Sequence, residues 1–216
     1  DILKKFMKVT TIRGVNLIGL GEPMMHPDFI KILKIIEKYG LAVCFTTNGT
    51  IWRKDVYEAL PPNSTIYFSL DGVTDVPKEM RKVDPQIVIQ TIKKLRVLRP
   101  NVNIVIQPVL VKGFLKEALP YAKLARELNV NIHPTVPVLG NKKDFDKLFP
   151  NDIEIESSDI IMKTVTRCDS NLFVRPQYRS CFDPFHLLLV TIDGNVYPCC
   201  YINTVRTNKS ECFGDY

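Results

Sequence analysis

A carboxylate stands at the exit of an apolar run, in the motif Gly21-Glu22-Pro23 that follows residues 14–18. A polar residue between a strand and the next helix occupies the place where parallel α/β proteins bind ligands. Burial of an unpaired carboxylate costs on the order of several kcal/mol, so Glu22 predicts a cationic partner such as an ammonium group. The alternative is an acid that only caps the following helix.

Three further predicted strands end in polar residues. The sequences are Thr46-Thr47-Asn48-Gly49, Ser69-Leu70-Asp71-Gly72 and Gln107-Pro108. Their spacing is typical of α/β proteins, so several strands are expected to direct polar groups toward one mouth. Each group also has a structural explanation, because Asn-Gly is a common turn sequence and short polar side chains cap helices.

Four of the six cysteines lie in the last 36 residues, at Cys181, Cys199, Cys200 and Cys212. In a chain without secretion signals, such clustering favours metal or redox chemistry over disulfides. Asp193-Gly194 predicts a hairpin turn that brings Cys199 back toward Cys181. The alternatives are buried thiols or a structural zinc site, although the tight CxxC pairs that are typical of zinc sites are absent from the sequence.

These groups are carried by regularly alternating elements. Apolar spacing predicts helices over 85–98 and 115–128 and strands over 41–45, 64–70, 101–110 and 131–138. Strict alternation predicts parallel strands joined by right-handed crossovers. The expected fold is α/β: a partial, open TIM-like parallel β/α barrel, followed by a small β-hairpin extension that contains cysteines. A doubly wound sheet is the alternative.

Bulk properties exclude several classes of protein. A hydrophobic fraction of 45% over 216 residues is sufficient for a globular core, and the net charge of +6 is dispersed, which does not indicate a nucleic-acid partner. No apolar run approaches the roughly 20 residues that span a bilayer, and no signal peptide is recognisable. We therefore expect a cytoplasmic protein without a membrane partner. The first residue is Asp1, which predicts a missing upstream segment.

In order and spacing, the motifs resemble radical S-adenosylmethionine (SAM) enzymes with a SPASM or twitch C-terminal extension. Gly21-Glu22-Pro23 is similar to the family motif that binds the methionyl amino group of SAM. The resemblance implies that Asn48 and Ser69 lie near the ribose, with Asp71 as a neighbour. By family position it also adds Gln107 and Val138 to the cofactor neighbours.

The C-terminal cysteines carry a second, separate resemblance. Cys181, twelve residues, Gly194, four residues and Cys199 match the opening pattern of the SPASM or twitch extension, which holds auxiliary 4Fe-4S clusters. Cys200 and Cys212 are further candidate ligands. The resemblance divides the chain into a partial barrel (1–140), an irregular linker (141–180) and the start of the extension (181–216). The linker contains an apolar patch, 153–162, that the pattern leaves unassigned.

The chain also departs from the family. The CxxxCxxC loop that ligates the catalytic 4Fe-4S cluster is absent, so the chain as given is expected to be inactive, through truncation or through natural loss. The first hypothesis is a radical SAM enzyme that cleaves SAM to a 5′-deoxyadenosyl radical and abstracts a substrate hydrogen. It implies a peptide, protein or small-molecule substrate and an electron donor such as a flavodoxin or ferredoxin. The alternatives are a catalytically silent scaffold and an ordinary α/β enzyme with a zinc-stabilised tail.

Overall fold

The computed structural model describes residues 2–9, 12–19, 21–74, 83–135, 150–166, 188–191, 195–197 and 214–215. The chain forms two compact units. The larger comprises residues 12–173, and the smaller comprises residues 1–11 together with 174–216.

The larger unit is built of alternating strands and helices. A single 3₁₀ turn, Pro23–Met25, follows the first strand. In chain order its strands and α-helices are β1 (Gly14–Leu17), α2 (Phe29–Lys38), β2 (Ala42–Thr47), α3 (Lys54–Glu58), β3 (Thr65–Ser69), α4 (Pro85–Leu98), β4 (Asn103–Gln107), α5 (Leu115–Leu128), β5 (Asn131–Ile132) and α6 (Asp152–Thr166).

The five strands form one parallel sheet in the order β1-β2-β3-β4-β5. Because every crossover steps in the same direction, right-handed connections place the intervening helices on one face, as in a β/α barrel. A doubly wound sheet would instead reverse its strand order. Among the described residues β1 and β5 are edge strands, so the predicted open, partial barrel is confirmed.

The core lies between the sheet and its helices. Phe45 of β2 packs edge-on against Phe29 of α2, with ring centroids 5.2 Å apart. Ile66 and Phe68 of β3 are fully buried as well. Since side chains alternate along a strand, Cys44 and Tyr67 face the opposite side of the sheet, where both are only half-buried.

Helix boundaries follow local chemistry. Both predicted helices, 85–98 and 115–128, are confirmed. The first begins because the Asp84 carboxylate accepts a hydrogen bond from the Gln86 N–H at 2.9 Å and a proline occupies the first turn. The second ends at Asn129, which takes the left-handed conformation that often terminates helices.

Within the segment 141–180, residues Asp152–Thr166 form helix α6. The helix is initiated by a reciprocal capping pair. Asn151 Oδ1 accepts from the Glu154 N–H at 2.8 Å, and Glu154 Oε2 accepts from the Asn151 N–H at 3.3 Å. This arrangement satisfies two N–H groups that a helix start leaves open. α6 then packs against α5.

The smaller unit contains α1 (Ile2–Val9) and a three-stranded sheet of β6 (Leu189–Val190), β7 (Asn195–Tyr197) and β8 (Gly214–Asp215). β6 and β7 are antiparallel, with Val190 opposite Val196, which confirms the predicted hairpin pairing. The predicted Asp193-Gly194 turn lies outside the described residues. Of the helices that the structure describes, none has the length and apolar character needed to cross a bilayer.

Candidate functional site

The turn after β1 takes its shape from its three residue types. Gly21 has a φ of +108°, a conformation that side-chain-bearing residues rarely adopt. Glu22 is extended, as expected before a proline, and Pro23 begins the 3₁₀ turn. The Met25 N–H then donates to the Glu22 carbonyl at 3.0 Å. This geometry directs the Glu22 side chain back across the turn toward the neighbouring strand.

The Glu22 carboxylate joins the ends of β1 and β2. Its Oε1 accepts from the Thr47 hydroxyl at 2.7 Å and from the Met24 N–H at 3.2 Å, and its Oε2 accepts from the Asn48 N–H at 2.7 Å. A carboxylate has about four acceptor positions, so these three bonds leave about one on Oε2. These bonds therefore orient the Glu22 side chain without using all of the hydrogen-bond acceptor positions of its carboxylate.

No cationic side chain among the described residues neutralises the charge of Glu22. Within the described part of the chain, the half-buried carboxylate forms no ion pair with a lysine, arginine or histidine. Burial, followed by the Glu22 charge, raises the pKa of the buried Tyr57, which therefore stays neutral beside it. Three neutral donors and no cation make this a position that favours a positively charged ligand.

The end of β2 is shaped by Thr47 and Gly49. The Thr47 side chain is 1% exposed, and its oxygen also accepts from the Gly49 N–H at 3.1 Å. Gly49 has a φ of +71° and lies against Phe68 and Val88, where a Cβ atom would be too close. Asn48 therefore lies in a turn that is fixed by the hydrogen bonds of Thr47 on one side and by the close packing of Gly49 on the other.

Asn48, Ser69 and Asp71 line one small pocket at the carboxyl ends of β2 and β3. Leu70, Val83 and Val88 complete its lining. Asn48 Oδ1 is occupied by the N–H and hydroxyl of Thr50 at 2.9 and 2.7 Å, which leaves the Nδ2 group without an acceptor among the described residues. The Ser69 hydroxyl, on a residue 8% exposed, likewise has no hydrogen-bond partner among them. The pocket thus offers an amide donor and a hydroxyl to a polar ligand.

Other predicted site residues are not part of this pocket. Gln107 lies beside Ser69 in the β3–β4 register, half-buried at the end of its strand, but does not line the pocket. Val138 and the four candidate cluster ligands lie outside the described residues: Cys181, Cys199, Cys200 and Cys212. The described residues contain no group of three or more potential metal ligands.

The sequence analysis assigned no specific role to two residues that shape the site. The signal for Thr47 is a polar residue at one of the alternate positions of β2 that are buried, the positions that Val43 and Phe45 also occupy. Arg53 donates to the carbonyls of Met24 and His26 at 3.3 and 3.5 Å, which ties the turn after β1 to the loop after β2. No sequence pattern marks Arg53, because its acceptors are backbone atoms more than 25 residues away.

Comparison with known proteins identifies the family. A family model described as the Radical SAM superfamily matches residues 1–125, which is more than half of the 216 residues. The chain therefore belongs to the Radical SAM superfamily. Members of this superfamily use SAM and a 4Fe-4S cluster.

Two curated relatives are similar at the level of sequence. The tungsten-containing aldehyde ferredoxin oxidoreductase cofactor-modifying protein of Pyrococcus furiosus is 24% identical over 235 residues, covering 99% of this chain and 64% of that protein. The AdoMet-dependent heme synthase of Methanosarcina barkeri is 26% identical over 148 residues, covering 66% of this chain and 42% of that protein. The chain thus spans less than two thirds of the length of these relatives.

Solved structures support the fold. SuiB of Streptococcus suis bound to its precursor peptide SuiA matches with a TM-score of 0.69 at 16% identity, covering 96% of this chain and 53% of SuiB. SuiB bound to SAM matches with a TM-score of 0.67 at 18% identity, covering 90% of this chain and 51% of SuiB. At this level of identity the similarity concerns the fold alone.

Proposed function

We propose that this chain supplies the SAM-binding face of a radical SAM enzyme, in which Glu22 binds the amino group of the methionyl part of SAM. The observation that carries the proposal is the Glu22 carboxylate, which is held by three neutral donors and paired with no cation among the described residues. An ammonium group would occupy the remaining acceptor position on Oε2 and compensate the charge. Thr47 and the Asn48 N–H keep the carboxylate turned toward that ligand.

The residues that line the small pocket beside this carboxylate suit the nucleoside part of the same cofactor in their chemistry. Asn48 follows Thr47 directly, so the amino-group site and the pocket share one strand end. The Nδ2 group of Asn48, which has no acceptor among the described residues, and the Ser69 hydroxyl suit the two hydroxyl groups of a ribose. Val83 and Val88 supply apolar contacts. We further propose that Asp71, Gln107 and Val138 are neighbours of the cofactor, as the family positions suggest.

The residues present fit SAM, whereas the sequence contains no CxxxCxxC ligand set for a catalytic cluster. SAM bound together with a reduced 4Fe-4S cluster supplies the radical chemistry that removes a hydrogen atom from a substrate. Within this chain, the assigned roles are to bind and orient SAM and to exclude water from it. Cys181, Cys199, Cys200 and Cys212 are proposed as ligands of an auxiliary 4Fe-4S cluster.

A peptide or protein is the proposed substrate class, with a small molecule as the second candidate. SuiB, which shares the fold across 96% of this chain, was solved with a precursor peptide. The two curated relatives carry names that describe cofactor modification and haem synthesis, which supports the small-molecule candidate. A flavodoxin or ferredoxin is the proposed electron donor.

The test uses the full-length gene product, reconstituted anaerobically with iron and sulfide. With SAM and dithionite we expect release of 5′-deoxyadenosine, and equilibrium dialysis should detect bound SAM. Glu22→Gln keeps the shape of the side chain but removes its charge. A hydrogen bond to a charged group contributes about 1.5–3 kcal/mol, so the Kd for SAM should rise roughly 10- to 150-fold.

Glu37→Gln is the matched control, because it makes the same chemical change on the exposed side of α2. Its affinity for SAM should equal that of the wild type. Absence of both SAM binding and 5′-deoxyadenosine from the reconstituted wild type would refute the proposed function. Equal affinities of the two variants would refute the role of Glu22.

A further inference from the structure

Two buried side chains of α5 hold residues 70–74, the first part of the loop that follows β3. Glu117 Oε2 accepts from the backbone N–H groups of Val73 at 2.6 Å and Thr74 at 3.0 Å, and Glu117 Oε1 accepts from the Thr74 hydroxyl. Tyr121 donates its hydroxyl to the Leu70 carbonyl at 2.5 Å. One helix therefore binds this loop at Leu70 and again at Val73 and Thr74.

The two anchors belong to the same face of α5. Glu117 and Tyr121 are four residues apart, so they lie on adjacent turns, and their exposed fractions are 6% and 0%. Burial, followed by the carboxylates of Asp71 and Glu117, raises the pKa of Tyr121, which keeps the phenol protonated as a donor. Their neighbours on this face, Ala118 and Ala125, are apolar and buried.

A carboxylate on such a face needs a specific reason. Core stability alone would favour an apolar residue, because burying a charge carries a desolvation penalty that its hydrogen bonds must offset. Charge-assisted bonds to two consecutive N–H groups fix the path of a backbone more tightly than neutral bonds do. Glu117 thus fixes where the loop runs, rather than only filling space in the core.

The anchored loop forms one wall of the pocket. Leu70 and Asp71 line it: Leu70 carries the carbonyl that Tyr121 binds, and Asp71 lies between that carbonyl and the bonded Val73 N–H. Ser69 precedes the loop directly as the last residue of β3. A displacement of the loop would therefore move Leu70 and Asp71, and also the backbone directly after Ser69, which lines the same pocket.

We propose that Glu117 is a positioning residue of the cofactor pocket: by binding the N–H groups of Val73 and Thr74 it holds the Leu70–Asp71 wall in the conformation that receives the nucleoside part of SAM. This inference rests on the proposed function, because it concerns the same pocket. Glu117 itself does not line that pocket. It acts through the loop, and its loss reduces the fraction of molecules whose pocket is competent to bind.

Glu117→Gln tests the role with little change of volume. The amide retains one acceptor oxygen but loses the charge that both N–H groups share. Amide hydrogen exchange at Val73 and Thr74 should accelerate about tenfold or more, and the Kd for SAM should rise by a similar factor. Both are measured on the reconstituted full-length gene product, the exchange by mass spectrometry and the affinity by equilibrium dialysis.

Leu124→Ala is the control for lost stability, since it truncates a buried residue of the same helix that does not contact the loop through the bonds described above. It should lower the urea midpoint while leaving exchange at Val73 and Thr74 and the affinity for SAM within about twofold of the wild type. This separates positioning of the pocket from general destabilisation of α5.

The outcomes are distinguishable. Faster exchange and weaker SAM binding in Glu117→Gln, but not in Leu124→Ala, support the inference. Faster exchange with unchanged SAM affinity overturns it while leaving the proposed function intact, and so does unchanged exchange. If the wild type fails to bind SAM, the proposed function is refuted, and the inference falls with it.

Discussion

Replacement of Gly49 by alanine is the sharpest test of how the site is built. Gly49 has a φ of +71°, and a Cβ atom at this position would lie 2.9 Å from Val88 Cγ1 and 3.0 Å from Phe68 Cδ1. Both neighbours are fully buried in the packed core, which limits how far each can shift. The substitution therefore combines an unfavourable backbone conformation with an overpacked core.

The two contributions can be separated. The left-handed conformation costs a residue with a side chain about 1–2 kcal/mol, and insertion of a methyl group into a packed core costs about 1–3 kcal/mol. Gly49→Ala should therefore lower the free energy of unfolding by about 2–5 kcal/mol. Gly40→Ala is the matched control, because Gly40 has a φ of +66° but no atom within 4 Å of the Cβ position. It should lose only the backbone part, about 1–2 kcal/mol.

Urea unfolding of both variants measures the difference, which is the steric contribution of the packing around Gly49. The affinity for SAM supplies a second readout, because two neighbours of Gly49 line the pocket: Asn48, which precedes it in the chain, and Val88, which packs against it. We expect weaker binding by Gly49→Ala and unchanged binding by Gly40→Ala. Equal losses of stability in the two variants would refute the argument that Gly49 is required by close packing.

Two further substitutions test the scaffold around the site. Arg99 donates to the carbonyls of Glu58 and Leu60 at 2.9 and 3.0 Å at the end of α3, so Arg99→Ala should lower the free energy of unfolding by about 1–3 kcal/mol. The exposed Arg126→Ala is its control, and similar urea midpoints for the two variants would contradict the role of Arg99. Burial raises the pKa of Cys44 from 9.0 to about 11, so the thiol ionises more readily in the unfolded chain than in the folded one. The free energy of unfolding should therefore fall as the pH rises from about 9 to about 11. Cys44→Ala should show a shallower fall of the urea midpoint across this range, and an unchanged pH dependence would refute the assignment.

Local signals account for the elements that the sequence predicted well. The limits of α4 and α5 coincide with the predicted 85–98 and 115–128, because caps and apolar spacing act within a few residues. The predicted strand over 101–110 is longer than the observed β4, Asn103–Gln107. Strand length depends on pairing, and β4 matches the five residues of its partner β3, which an isolated apolar run does not reveal.

The site shows the same difference between features that local sequence determines and features that depend on long-range contacts. The conformation of Gly21-Glu22-Pro23 depends on these three residue types, so the sequence alone indicates that the Glu22 carboxylate faces inward. The contacts of Glu117 with the N–H groups of Val73 and Thr74 span more than 40 residues and end on backbone atoms. Backbone acceptors and donors carry no residue-type signal. The only available clue was a charged residue at the buried spacing of an otherwise apolar helix face.

The position of the Glu22 carboxylate depends on strand register as much as on its own turn. β1 and β2 pair with Leu17 opposite Phe45. This register brings Glu22 Oε1, in the turn after β1, within 2.7 Å of the hydroxyl oxygen of Thr47, the last residue of β2. A slip of one residue would displace one strand by about 3.3 Å and place the opposite face of β2 toward the core. Such a shift exceeds the tolerance of a hydrogen bond. The ligand-binding geometry is thus a property of the parallel sheet, and β1, an edge strand among the described residues, is tied to β2 by the same carboxylate that is proposed to bind the cofactor.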